Sequence, residues 1–131
     1  MFQYVHHVHY VVHNRDAMVE YLEKNFGLKP DHLLVIEDKA MKDALYNIGK
    51  TQMQITEPLN PKSVIGQHLA KHGPGVFHVA WKVDNVRKVA QDLQAKGNKM
   101  LKDITQSPRG GTIANIDPVS SHGVWFQLVD D

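Results

Sequence analysis

Residues 4–12, YVHHVHYVV, are dense in β-branched and aromatic side chains, the composition of a strand. Asn14 and the stretch RDAMVEYLEKNFGL follow, a capping residue ahead of apolar positions at helical spacing. Gly27 and Pro30 then end the helix. The same order returns later: VFHVAWKV (76–83) reads as a strand, Asp84 or Asn85 caps VRKVAQDLQAK, and Gly97 terminates it.

The two occurrences superpose at a constant shift of 71 residues, His7 onto His78, Val12 onto Val83, Asn14 onto Asn85 and Leu22 onto Leu93. A fixed shift across strand, cap and helix indicates duplication. Each helix is followed by short strand-like segments, at 33–37, 40–48 and 51–57 in the first half and at 99–104, 111–116 and 123–129 in the second. The pattern predicts an α+β fold of two βαβββ modules, about 1–57 and 75–131, joined by a linker over 58–74 that carries Pro58, Pro61, Pro74 and a short helical stretch, SVIGQHLAKH. One such module exposes an apolar sheet face that it cannot bury alone, so the two are expected to form one domain with a curved eight-stranded mixed sheet, cupped around a ligand site.

Composition narrows the function classes. The 131 residues, 42% hydrophobic and 22% charged, suffice for a packed core without staples. Net charge is +1 with basic residues spread along the chain, which argues against nucleic acid. No run of apolar residues approaches bilayer length, no leader pattern opens the chain, and cysteine is absent, so no membrane association and a cytoplasmic location are expected. The nine histidines are the one compositional departure.

Alternation along a strand places His7, His9 and Val11 on one face and His6, Val8 and Tyr10 on the other. The repeat selects the first set, because His7 matches His78. The last strand of each half carries a second matched pair, Gln54 in TQMQITEP and Gln127 in GVWFQLVD. His7, Gln54, His78 and Gln127 therefore form the candidate metal set, two imidazoles and two amide oxygens suited to a divalent ion such as Co, Mn, Ni, Zn or Fe.

The opening VHHVHYVVHNRDAMVEYLEKNFGLKP resembles that of vicinal-oxygen-chelate proteins, the glyoxalase, bleomycin-resistance and dioxygenase superfamily. The middle, MQITEPLNPKSVIGQHLAKHGPGVFHVAWKVDNV, and the tail, GGTIANIDPVSSHGVWFQLVDD, are similar to methylmalonyl-CoA epimerases. The resemblance implies metal ligation by His7, Gln54 and His78. The fourth family ligand, a glutamate, is Gln127 here, and an amide cannot share in proton transfer as that glutamate is thought to. It also places Asp43 where some epimerases carry their other catalytic acid, one methylene longer.

The implied activity is a metal-dependent isomerase, methylmalonyl-CoA epimerase-like, that removes a proton alpha to a carbonyl or thioester. A small-molecule substrate, an acyl-CoA among the candidates, and a homodimer go with it. A glyoxalase I-like lactoylglutathione lyase and a non-catalytic antibiotic-binding protein are the alternatives on this scaffold. Around the site, His9 reads as an inward-facing hydrogen-bonded histidine, with a base or a partner behind His7 as alternatives, Tyr46 and Trp125 as packing or pocket wall, and Arg109 as a solvated loop residue, with a grip on a substrate carboxylate or phosphate as the alternative. His68 and His72 read as surface.

Overall fold

A computed structural model of the protein describes residues 1–107 and 110–131, with the side chain of Asp103 left aside. Arg109 lies outside the described residues. The elements run β1 (Tyr4–Val11), α1 (Arg15–Phe26), β2 (His32–Ile36), β3 (Met41–Ile48), β4 (Thr51–Pro58), α2 (Val64–His72), β5 (Gly75–Lys82), α3 (Val86–Ala95), β6 (Met100–Gln106), β7 (Thr112–Ile116) and β8 (Phe126–Val129). This is the α+β fold of two βαβββ repeats expected from the sequence, with the eight strands in the order β2-β3-β4-β1-β5-β8-β7-β6.

Two boundaries move for local reasons. The strand expected from residue 40 starts at Met41, because Glu37–Lys39 forms a 3-10 turn and Ala40 takes a left-handed φ of 49° that no strand accommodates. The strand expected from residue 123 starts at Phe126. Residues 118–123 close a turn in which Gly123 N–H donates to the Pro118 carbonyl at 2.8 Å and His122 has a φ of 58°. No helix among the described residues is long and apolar enough to cross a membrane.

The chain divides into two compact units, residues 8–77 and residues 1–7 with 78–131. The division therefore cuts β1 and β5 rather than the linker. The first seven residues belong with the second repeat because Gln3 N–H donates to the Lys82 carbonyl at 2.9 Å and Phe2 stacks on Trp81 at 4.5 Å.

Within the 8–77 unit, α1 packs Met18, Val19 and Leu22 onto a core of Val12, Ala44, Tyr46 and Ile55. Ile65 and Leu69 of α2 pack separately on Val11. Within the other unit, α3 packs Val86, Val89 and Leu93 onto Val83, Ala114 and Leu128. Strand β2 leaves Leu33, Leu34 and Val35 exposed at the end of the strand order, the kind of unpaired apolar edge that natural sheets usually cover.

The duplication is carried in hydrogen bonds as well as in sequence. Asn14 and Asn85 have nearly the same extended backbone, with φ and ψ of −142° and 105° against −145° and 105°. Each side chain caps its helix, accepting from Ala17 N–H at 2.9 Å and from Lys88 N–H at 3.0 Å. A second acceptor reaches each helix start from the last strand: Arg15 N–H donates to Glu57 Oε1 at 2.8 Å, and Val86 N–H to Asp130 Oδ2 at 2.9 Å. These carboxylates suit the positive end of a helix dipole. Finally, Val12 N–H donates to the Thr56 carbonyl and Val83 N–H to that of Val129, both at 2.9 Å, so each last strand returns beside its first.

The repeats differ at the first helical residue. Arg15 is buried, and its Nη1 donates to the carbonyls of Asp43 at 2.8 Å and Leu34 at 3.2 Å, whereas its counterpart Val86 joins the apolar core. Asp130 does more than Glu57, because its Oδ1 also accepts from Thr112 N–H at 2.7 Å. Replacing Asp130 with Ala is expected to cost about 2–3 kcal/mol by urea denaturation and replacing Glu57 with Ala about 1 kcal/mol, since each lost charged acceptor strands a backbone donor. Equal losses would show that the Thr112 bond contributes nothing.

Candidate metal centre

Strand alternation buries His7, His9 and Val11 along β1 and leaves the residues between them partly exposed. His7 is 5% exposed and His78, on β5, is 7% exposed. Their rings meet at 65° with centroids 5.5 Å apart, and the two Nε2 atoms lie 3.4 Å from each other. That separation matches two imidazole nitrogens each about 2.1 Å from a single ion.

The opposite side of the His7 ring is held as well. Its Nδ1 lies 2.8 Å from His6 Nδ1, and His6 Nε2 lies 3.5 Å from Asp131 Oδ2. A partner on Nδ1 fixes the ring and directs Nε2 toward His78, the arrangement usual behind a metal-ligating histidine.

Gln127 stands on β8 in the same unit, where β8 runs parallel to β5 with Ala80 opposite Gln127. Its Nε2 donates to Asn115 Oδ1 at 3.2 Å, and the same oxygen accepts from Trp125 Nε1 at 2.8 Å. The Gln127 side chain offers the His78 ring a hydrogen bond that favours its protonated form, as an amide oxygen does. Burial pushes the His78 imidazole down to about 4, with that hydrogen bond offsetting part of the effect. His78 is thus neutral at pH 7, the form in which imidazole binds metals.

Gln54 and Asp43 belong to the 8–77 unit. Asp43 is 1% exposed, and both of its carboxylate oxygens are engaged: Oδ1 accepts from Thr56 Oγ1 at 2.6 Å and Oδ2 from Gln54 Nε2 at 2.8 Å. Thr56 in turn lies 2.7 Å from His9 Nε2. Burial pushes the Asp43 carboxyl up, against the lowering effect of the Thr56 and Gln54 bonds and the Arg15 charge. An acid reached through the family resemblance for direct proton transfer thus sits beneath Gln54, inside a closed polar network.

Among the described residues no three His, Cys, Asp or Glu side chains cluster as a metal site. His68 and His72 pack ring to ring at 4.6 Å, with His68 partly buried against Phe77 at 4.9 Å, and among the described residues no third His, Cys, Asp or Glu joins them as a metal group. Tyr46 is core, and Trp125 lies 6.2 Å from the His78 ring as a wall tied to Asn115. The sequence reading missed His6, Thr56 and Asn115. Thr56 lies two residues after Gln54, on the same strand face, and that spacing was the one available signal.

Fold and site together define a class. The chain belongs to the glyoxalase/bleomycin resistance protein/dioxygenase superfamily, whose profile matches residues 6–115. Within it, the chain is similar to a Streptomyces coelicolor methylmalonyl-CoA epimerase variant solved in complex with 2-nitronate-propionyl-CoA. The two share 30% identity over 100% of this chain and 96% of that one, with a TM-score of 0.89. It is also similar to the human mitochondrial methylmalonyl-CoA epimerase, at 22% identity over 95% of this chain and 72% of the relative. The uncharacterized protein YqjC of Bacillus subtilis is 28% identical over 88% of this chain and 83% of its own length.

The lowered His78 gives a pH dependence with a defined sign. The unfolded chain takes up a proton at this residue below pH 6.5 and the folded protein only near pH 4, so the unfolded state binds more protons between those values. Stability of the metal-free protein is expected to fall as pH drops from 6.5 to 4, on the order of 3 kcal/mol from this group. Urea midpoints across that range should decline less in His78→Gln. Equal declines would remove His78 as the cause.

Proposed function

We propose that the protein is a metal-dependent isomerase that removes the proton alpha to the thioester carbonyl of an acyl-CoA, as in methylmalonyl-CoA epimerisation. The observation that carries this reading is the pair of buried histidines aimed at each other through Nε2 atoms 3.4 Å apart. Likeness to an epimerase solved with an acyl-CoA ligand supports the choice of substrate. The proposed ligands are His7, His78, Gln127 and Gln54, a set of imidazoles and amides suited to Co, Mn, Ni, Zn or Fe. A divalent ion held there supplies Lewis-acid stabilisation of the negative charge that develops on the carbonyl oxygen.

The residues of the chain do the rest. His6 and Asp131 hold the His7 ring, Asn115 holds the Gln127 amide, and burial keeps His78 unprotonated. All four proposed ligands are uncharged, so none of the ion's charge is neutralised by its own ligands, which favours polarising the carbonyl and weakens retention.

Proton transfer needs a group that reaches the substrate carbon, and the buried, doubly engaged Asp43 suits a supporting part better. We propose Glu37 for this step. It is exposed on the 3-10 turn after β2. Its distance along the chain from Gln54 equals that between the glutamate and the glutamine replaced in two structurally known variants of the Streptomyces coelicolor enzyme. With Gln127 unable to carry a proton, a single carboxylate is expected to exchange the alpha proton with solvent faster than it inverts the centre.

The test uses protein purified without chelator and loaded with Co²⁺, with methylmalonyl-CoA in deuterated water. His7→Ala is expected to lose most bound metal by elemental analysis. Glu37→Gln should keep the metal and lose deuterium incorporation by roughly 10²-fold or more, the usual effect of a missing general base. Full metal occupancy in His7→Ala would remove the assigned centre. Undiminished exchange in Glu37→Gln would return the base role to Asp43 or His9.

A further inference from the structure

The buried network beneath Gln54 has a direction. Asp43 Oδ1 takes the one hydroxyl proton of Thr56, so Thr56 Oγ1 can only accept from His9, whose Nε2 is then a donor. The remaining carboxylate oxygen, Oδ2, faces Gln54 at 2.8 Å. The hydrogen bond runs from Gln54 Nε2 to that oxygen, so the part of the Gln54 amide that faces Asp43 is NH₂. The amide oxygen is turned away from Asp43 as a consequence.

The other unit repeats the device. Asn115, on the strand corresponding to that of Asp43, accepts from Gln127 Nε2 at 3.2 Å and leaves the Gln127 oxygen for His78. Two matched glutamines are thus each held by the nitrogen, by an acceptor on the neighbouring strand. Only at Asp43 is that acceptor a carboxylate.

We propose that Asp43 is the positioning residue of Gln54: it fixes the amide with its oxygen outward as the metal-facing atom, and it requires glutamine rather than glutamate at position 54. This rests on the reading of Gln54 as a metal ligand. A glutamate there would bring a second carboxylate against Asp43 in a buried setting, where two like charges cannot both remain ionised. Thr56 and His9 keep the Asp43 carboxylate from rotating out of register with the amide.

The proposal is tested on the full chain with three variants, Asp43→Ala, Gln54→Glu and the exchange Asp43→Asn/Gln54→Glu, which keeps total charge and reverses donor and acceptor. In the metal-free protein the Gln54 side-chain NH₂ signal, assigned by its loss in Gln54→Glu, should exchange with deuterium ~10-fold or more slowly than that of exposed Gln94, and Asp43→Ala should remove the difference.

By calorimetry with Co²⁺ alone, Asp43→Ala should weaken binding about 10-fold or more, the range found for groups behind a metal ligand. Gln54→Glu should lower the thermal midpoint of the metal-free protein by roughly 5–10 °C. Adding Asp43→Asn should restore the midpoint and bring Co²⁺ affinity to the wild-type level or above, since an ionised ligand retains the cation more tightly.

A Gln54 amide that exchanges as fast as Gln94 in the wild type overturns the proposal. So does an exchange variant that recovers its midpoint while Co²⁺ binding stays weak, which would leave Asp43 purely structural. If the wild type binds no Co²⁺, the ligand reading of the preceding section falls. The amide signal and the thermal midpoints then still decide whether Asp43 holds Gln54.

Discussion

The return of each last strand to the side of its own first strand is the constraint on which the site depends. In one unit it is sealed by Val83 N–H on the Val129 carbonyl and in the other by Val12 N–H on that of Thr56. Between residues 78 and 131 this return sets Gln127 beside His78. Between residues 8 and 77 it brings Thr56 and Gln54 to His9 and Asp43. The helices are tied to the same returning strands through Glu57 and Asp130, so their packing and the placement of the polar groups are one arrangement.

Within that frame the polar groups carry little charge. His7 and His78 are buried, the Nδ1 of His7 is held by His6, and the two glutamines are anchored by their nitrogens. Burial of His78 disfavours its charged form, since an ionised ring there would pay a desolvation penalty. In the 8–77 unit the buried carboxylate of Asp43 accepts from Thr56 and Gln54, and its backbone carbonyl accepts from Arg15.

Much of this was legible in the sequence because duplication writes the same instruction twice. The constant shift joined His7 to His78 and Asn14 to Asn85, and strand alternation chose the face, so the histidine pair and both helix caps could be read directly. Features without a repeated signature could not. Arg15 looks like an ordinary surface residue in a first helical turn, and only the tertiary arrangement supplies the carbonyls of Asp43 and Leu34 that bury it. Asp43 had a strand position but no visible partner, since Thr56 meets it through a cross-strand register set by the turn after Ile48. Ala40 and His122 adopt positive φ without being glycine, which no residue pattern announces.

The strand return also governs how the chain reaches this state. Each closure joins residues roughly 45 positions apart, and the ordering entropy of such a loop grows only with the logarithm of its length, so the two repeats face nearly equal closing penalties. Neither has a kinetic head start from topology. Contacts of this sequence separation slow folding relative to helical bundles, and the local hairpin of β3 and β4 can form well before the strand that must receive it. With the two closures equal in length, the repeats differ instead in what anchors their helix starts: Glu57 holds one backbone N–H and Asp130 holds two.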